Sequence, residues 1–167
     1  MKTSVRLRGI ALLAATGLAL TLPLATSASA ALPQSATCAK LSSPPLKNGK
    51  STGVLSNCTP AALAAGATSA FTPPPAGSKK GSLTGTYTWK NGKGTTIVLV
   101  TFALQGAPGK CPAGTTRVSV GGKVTGGSGA AAKIIKKGEP FTSSICATTS
   151  GAQSGKTVNE PGTKIKM

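Results

Sequence analysis

The segment SLTGTYTWKNGKGTTIVLVTFAL, residues 82–104, carries the clearest structural signal in this chain. Its first half alternates threonine with apolar residues or glycine as far as Trp89, and its second half is rich in β-branched residues. A period of two is typical of a β-strand. Asn91-Gly92 stands between the halves, and this pair favours a two-residue type I′ turn because both positions require a positive φ. The segment therefore predicts an antiparallel hairpin.

The predicted turn also fixes the register of the two strands. It places Tyr87 opposite Thr96, and side chains that alternate along the paired strands then fall on two faces. The face predicted to form the heart of the core consists of Leu83, Tyr87, Trp89, Val98, Val100 and Phe102. Ile97 and Leu99 fall on the opposite face, so we expect this strand to be partly covered on both sides.

Turn and strand signals continue through the rest of the chain. Residues 115–125 are predicted to form one strand through Gly121-Gly122, with a bulge at the glycines, because a turn there would divide the neighbouring valines between two faces. A short helical patch is expected at residues 60–66, begun by Thr59 and Pro60, and residues 31–50 are expected to be irregular. Further strands are predicted at residues 51–58, 131–136, 141–148 and 163–167. Seven to eight short antiparallel strands indicate an all-β domain, either a β-sandwich or a small barrel.

The first thirty residues have the order of a secretory signal. Basic residues in the first eight positions precede an uncharged apolar run, and Ala28-Ser29-Ala30 offers the small residues that signal peptidase accepts. The apolar run is only ~16 residues long and is broken by Pro23, which is short of the ~20 that a membrane-spanning helix needs. We therefore predict a helical signal peptide at residues 1–30, cleaved to leave one secreted β domain, residues 31–167, without a transmembrane segment.

The four cysteines, Cys38, Cys58, Cys111 and Cys146, predict two disulfides, because an even number in an exported chain is typical of a disulfide framework. Three pairings are open from the sequence. We favour Cys38–Cys58, which ties the N-terminal segment to the next strand, and Cys111–Cys146, which ties two strands of the C-terminal half. The chain has no histidine and no closely spaced cysteines, so zinc is disfavoured. No metal and no cofactor is predicted.

Three segments carry a resemblance to known proteins: the hairpin at residues 87–92, the strand at residues 118–126 and the cysteine-containing segment at residues 141–146. Together with the signal and the two cysteine pairs, they resemble small exported β-proteins of actinobacteria, which have no assigned function. The resemblance covers roughly residues 38–148. It implies an exported, disulfide-containing β fold, and it implies no activity.

The predicted mature segment is poor in groups that catalyse reactions. It contains no histidine or aspartate, and its only acids, Glu139 and Glu160, each precede a proline. General acid–base catalysis ordinarily uses these residue types, so we predict a non-catalytic protein. Two alternatives stay open. One is an extracellular hydrolase or inhibitor with a site in a loop, and the other is a carrier of a small apolar ligand in the core beside Tyr87, Trp89 and Phe102.

Positive charge is the feature of this sequence that is most informative about function. Without the three basic residues of the predicted signal, the chain has 16 basic and two acidic residues, a net charge of +14, which attracts polyanions. Lysine lacks the bidentate fork of arginine, so specific nucleic-acid recognition is not expected. A purely solubilising role is the alternative. The sequence thus predicts a secreted binding or cell-envelope-associated protein whose partner is an anionic wall polymer or another polyanion, with these candidate contacts: Lys79, Lys80, Lys90, Lys93, Lys136 and Lys137.

Overall fold

The computed structural model describes residues 35–44, 51–72, 75, 77–105, 109–148 and 156–167. The predicted signal peptide lies outside these residues. The described residues form nine strands: β1 (Thr37–Ser43), β2 (Ser51–Thr59), β3 (Ala67–Phe71), β4 (Lys80–Trp89), β5 (Gly94–Leu104), β6 (Thr116–Gly127), β7 (Pro140–Ala147), β8 (Thr157–Asn159) and β9 (Ile165–Lys166). A helix, α1 (Gly129–Ile134), precedes β7, and a single 3₁₀ turn (Ala61–Leu63) follows β2.

Strands β1 to β8 form a closed antiparallel barrel. Each strand pairs with the next one along the chain, and β8 pairs with β1 to complete the circle. The short β9 also lies between β7 and β1, since Lys166 pairs with both Thr142 and Thr37. β8 and β9 therefore share one gap in the wall, at different heights. Closure pairs the backbone groups that β1 and β7 would otherwise expose at a sheet edge. Of the two architectures predicted, the molecule adopts the barrel.

The central hairpin has the predicted turn and register. Asn91 and Gly92 have φ values of 57° and 65°, as a type I′ turn requires. Tyr87 pairs with Thr96, and the side chains predicted to share a face all point to the interior, with Leu83 only partly buried. The predicted cover on the second face is confirmed only for Ile97, which is half-buried, whereas Leu99 is 42% exposed.

Strand β6 passes through Gly121-Gly122 without a turn, as predicted, but the expected bulge at the glycines is wrong. The register shifts opposite Ile97 and Val98, so Thr125 is the additional residue. The role of Gly122 is close approach, because a Cβ there would collide with the backbone of Leu99.

One predicted element is wrong in type, and a second is shorter than predicted. Residues 131–136, predicted as a strand, belong largely to α1, where an alanine-rich sequence follows Gly129 with its positive φ of 65°. Ala131 and Ile135 are both buried, at the spacing of neighbouring helical turns, and so short a repeat is ambiguous between helix and strand. The helical patch predicted at residues 60–66 is only the 3₁₀ turn, with Pro60 as its N-cap, and Thr59 belongs to β2.

Strands β1, β3 and β8 were not predicted. The expectation of an irregular segment at residues 31–50 is wrong for residues 37–43, which form β1 between β2 and the β8–β9 gap. The predicted strand at residues 163–167 shortens to β9. These segments have weak local signals, and their partners along the barrel wall supply the hydrogen bonds that make them strands.

Both disulfides have the favoured pairing. Cys38–Cys58 joins residues that face each other in β1 and β2. Cys111–Cys146 ties β7 to the connection between β5 and β6, and not to a second strand as expected. Formed disulfides are typical of proteins that fold in an oxidising compartment outside the cytoplasm. None of the helices in the described part of the chain has the length and apolar content that spanning a lipid bilayer requires.

Aromatic rings fill the barrel interior. The Phe71 ring contacts Tyr87 edge-on at a centroid distance of 5.6 Å, and Tyr87 stacks on Phe141 at 6.0 Å. The Trp89 indole N–H donates to Thr96 Oγ1 at 2.9 Å, which satisfies a polar group that is otherwise buried. An eight-stranded barrel is just wide enough for side chains to fill it, and the space above Gly85 is occupied by the Phe71 ring.

We expect Gly85→Ala to lower the free energy of unfolding by about 1–3 kcal/mol, because the added methyl group overlaps the Phe71 ring. Gly121→Ala is the matched control, since a Cβ at Gly121 meets no atom within 4 Å. Urea denaturation of the oxidised proteins measures both changes. Equal stability of the two variants would contradict the packing described.

Candidate functional site

The barrel wall divides into an uncharged part and a basic part. Strands β2, β3 and β5 contain no charged residue, and β4 contains only Lys80, at its first position. We call the outward side chains of these four strands, other than Lys80, the neutral face. Its centre consists of two rows of paired residues: Val54, Thr68, Thr88 and Thr95, and Thr52, Ala70, Thr86 and Ile97.

Three of the remaining strands, β1, β6 and β9, carry the lysines of the basic face, whereas β7 and β8 contain no charged residue. Lys40 lies in β1, Lys123 in β6 and Lys166 in β9, and all three side chains are exposed. Lys123 pairs with Pro140 of β7, and Lys166 pairs with Thr142, two residues further along β7, so the Cα atoms of the two lysines are about 12 Å apart by strand spacing and rise. We define the basic face as these three lysines together with the exposed lysines beside them: Lys110, Lys136, Lys137 and Lys164.

Two of the six predicted anion contacts lie on the basic face. Lys136 and Lys137 precede Gly138, whose N–H donates to the carbonyl of Val124, next to Lys123. The other four are distributed between the two ends of the β4–β5 hairpin. Lys79 and Lys80 lie at the start of β4, and Lys90 and Lys93 lie at its turn. The ends of this hairpin are about 30 Å apart by strand rise, so these lysines do not form one site with each other.

Five lysines of the basic face were missed from the sequence: Lys40, Lys110, Lys123, Lys164 and Lys166. The first three are isolated along the chain and the last two are separated by Ile165, whereas the predicted contacts are adjacent pairs or flank the Asn91-Gly92 turn. The sequence does contain a signal for Lys123. This residue lies an odd number of positions from Val118, Val120 and Val124 on one strand, so its side chain points to the opposite, outward face.

A cluster of polar groups around Glu160 joins the basic face to the C-terminal part of the barrel. Glu160 is 5% exposed, and Arg117 Nε donates to its Oε2 at 2.9 Å. Ser144 Oγ donates to the same oxygen at 2.5 Å, and the backbone N–H of Lys110 donates to Oε1 at 3.0 Å. The cluster thus connects β6, β7, the β5–β6 connection and the residue that follows β8.

These donors determine the charge state of Glu160. The backbone N–H of Lys110, the Ser144 hydroxyl and the Arg117 guanidinium hold the pKa of Glu160 below its ordinary value, against the opposing effect of desolvation. A general acid or base works best with a pKa near the operating pH. A carboxylate that stays ionised and fully hydrogen-bonded is instead suited to holding three segments together.

Glu139, the second acid, lies at the end of the basic face beside Lys136 and Lys137. Its two carboxylate oxygens are shielded from solvent and have no hydrogen-bond partner among the described residues. Its backbone N–H donates to the carbonyl of Lys136, and its carbonyl accepts from Val124. The described part of the chain contains no group of three or more histidine, cysteine or acidic side chains placed to bind a metal.

A groove of about 340 Å³ lies on the neutral face, over β2, β3 and β4. Its lining includes Val54, Thr68 and Thr88, which point outward. The residues predicted to surround an apolar ligand are elsewhere. Tyr87, Trp89 and Phe102 point inward and are at most 9% exposed, and burial raises the pKa of the Tyr87 hydroxyl. This groove is therefore a feature of the surface, and its lining does not include the residues expected for a carrier.

The lowered pKa of Glu160 predicts a specific loss of stability in acid. The stabilising effect is complete above the ordinary value of 4.5 and is lost as the pH falls through the lowered pKa. Ser144→Ala removes one donor and raises that pKa, so we expect the acid-unfolding midpoint to move to higher pH.

Ser119→Ala is the matched control, because Ser119 faces Ser144 across β6 and β7 without contacting the carboxylate. Circular dichroism across an acid titration measures both midpoints. A midpoint that moves equally in the two variants would exclude this role of Ser144.

Comparison with known proteins does not indicate a function for this chain. No protein-family model, no curated protein and no solved structure matches it. What the structure offers for interpretation is a closed, disulfide-bonded barrel with one neutral and one basic face.

Proposed function

We propose that the protein is secreted and acts without catalysis, by binding anionic polymers of the cell envelope or its surroundings through the basic face. The observation that carries this proposal is the separation of charge around the barrel. Lys40, Lys123 and Lys166 share one side of the wall, while the outward residues of β2, β3 and β5 are all uncharged. A surface serving only solubility has no need of such separation.

The lysines of the basic face are available for an external partner. The salt bridge between Arg117 and Glu160 is the only one within the described residues, so no carboxylate there lies within 4.0 Å of a lysine ammonium group. The charge of Glu160 is already matched by Arg117. Glu139 is then the remaining acid side chain beside the basic face, and its oxygens are turned away from solvent.

The form of the basic face favours an extended polymer over a single small anion. Its lysines are exposed and distributed along the wall, with the Cα atoms of Lys123 and Lys166 about 12 Å apart, so a partner with repeated charges can match more than one of them. A polymer with repeated charges can contact several of them at once and release its counterions. Lysine also acts as a point charge, which suits a partner recognised by charge density and not by sequence.

Secretion is supported by the signal-like order of residues 1–30 and by the two formed disulfides. Polymers with regularly spaced phosphate or carboxylate groups are typical partners of a strongly basic protein in that compartment. The partner does not have to complete the barrel wall, because the wall is already closed and the lysines are exposed on its outer surface.

The test is binding of the mature, oxidised protein to heparin and to isolated cell wall across rising salt. Lys123→Gln/Lys166→Gln should weaken binding about 25-fold, since one lysine near an anionic surface contributes about 1 kcal/mol. It should also reduce the slope of log K against log salt by about two. Isothermal titration measures both quantities for heparin.

Lys79→Gln/Lys80→Gln is the control, because it removes the same charge from exposed residues outside the basic face. It should change the affinity by about twofold or less, through long-range charge alone. The proposal fails if the two double variants lose affinity equally, or if the unmodified protein shows no binding at low salt.

A further inference from the structure

The basic face contains an open space between two of its lysines. Gly121 of β6 pairs with Thr142 of β7, and Thr142 pairs in turn with Lys166 of β9, so the three residues form one row across three strands. Lys123 lies two residues beyond Gly121 on β6, about 7 Å away along the strand. A Cβ at Gly121 would meet no atom within 4 Å. Lys123 and Lys166 therefore border a space into which Gly121 projects no side chain.

The hydroxyl group of Thr142 lies in this space without a partner. Thr142 is exposed, and its hydroxyl makes no hydrogen bond to any of the described residues. Paired residues point to the same face of a sheet, so the Thr142 side chain lies on the same outer surface as Lys166. We call the space bordered by Lys123, Lys166 and Thr142 the Thr142 site.

The acids of the chain leave the Thr142 site free. Glu139 precedes Pro140, the partner of Lys123, but both of its carboxylate oxygens are shielded from solvent. Glu160 is bound to Arg117, and within the described residues this is the only ion pair. The ammonium groups of Lys123 and Lys166 are therefore available to an anion that comes from outside the molecule.

The donors of the Thr142 site indicate which kind of anion it suits. Arginine presents a planar fork that matches a carboxylate, whereas lysine acts as a point charge and commonly binds phosphate. The one arginine of the predicted mature segment, Arg117, is already bound to the carboxylate of Glu160. The Thr142 site instead offers two ammonium groups and a hydroxyl, which approach from three sides. A carboxylate accepts hydrogen bonds mainly in its own plane, while the oxygens of a tetrahedral group point in several directions.

We propose that the Thr142 site binds one tetrahedral oxyanion group of the polymer, a phosphate or a sulfate ester. Lys123 and Lys166 match its charge, and Thr142 Oγ donates a hydrogen bond to one of its oxygens. This inference rests on the proposed function, since it names the group that a bound polyanion presents to the basic face. A polymer whose charges are all carboxylates is held by general charge attraction alone.

The experiment is isothermal titration of the mature, oxidised protein with long-chain polyphosphate, heparin and polyglutamate at one low salt concentration. Gly121→Leu fills the Thr142 site and keeps every charge. Gly126→Leu is the matched control, because Gly126 lies on the same strand opposite Ile97 of the neutral face, and a Cβ there also meets no atom within 4 Å. Gly121→Leu should lower the affinity for polyphosphate about tenfold, through the loss of hydrogen bonds to a charged group. Its affinity for polyglutamate should stay nearly unchanged.

Heparin distinguishes the two sources of a tetrahedral group. A tenfold loss of heparin affinity in Gly121→Leu shows that the site accepts sulfate as well as phosphate, and an unchanged heparin affinity restricts the site to phosphate.

Thr142→Val is the second variant, which removes the hydroxyl and keeps the shape of the side chain. It should weaken polyphosphate binding about fivefold, whereas Thr88→Val, at an exposed position on the neutral face, should leave it unchanged. Equal losses in Gly121→Leu and Gly126→Leu overturn the inference, and so does a loss in Gly121→Leu that is the same for polyphosphate and polyglutamate. In either case the proposed function stands, because the unmodified protein still binds polyanions. An unmodified protein that binds none of the three polymers overturns both.

Discussion

Closure of the barrel between β7 and β1 is the constraint on which the other features depend. Two short strands close the gap, β8 at one height and β9 at the other, and each pairs with both neighbours. The chain between them, which begins at Glu160, leaves the wall and binds Arg117 and Ser144 on its outer side. The two disulfides lie close to this region, one on β1 and one on β7. The part of the wall with the shortest strands is thus the part with the most cross-links.

A closed wall gives every strand residue one of two environments. Inward positions receive the aromatic rings and valines, and Phe71, Tyr87 and Phe141 fill the width of the barrel. Outward side chains do not have to fit a packed core, so packing does not determine which of them are charged. Those of β2–β5 are almost uncharged, whereas β6, β9 and β1 carry lysines.

The sequence predicts the features that depend on residues close together in the chain. It does not predict the features that arise only when the barrel closes. Asn91-Gly92 determines the hairpin register because turn chemistry acts over a few residues, and both disulfide pairings are confirmed. β1 and β8 have weak local signals, and they become strands because distant partners lie beside them. The basic face has the same origin. Lys40, Lys123 and Lys166 are far apart along the chain and share a surface only in the closed barrel, whereas Lys136-Lys137 was visible as a pair.

Acetylation of the individual lysines, measured by mass spectrometry with and without bound heparin, shows whether the charge of the barrel is divided between two faces. All the lysines compared are exposed in the free protein, so each one can react. We expect the polymer to protect Lys40, Lys123 and Lys166, and we expect Lys80 to react at its unprotected rate. Equal protection of all four lysines would exclude a separate basic face, because it would show a polymer held by net charge alone.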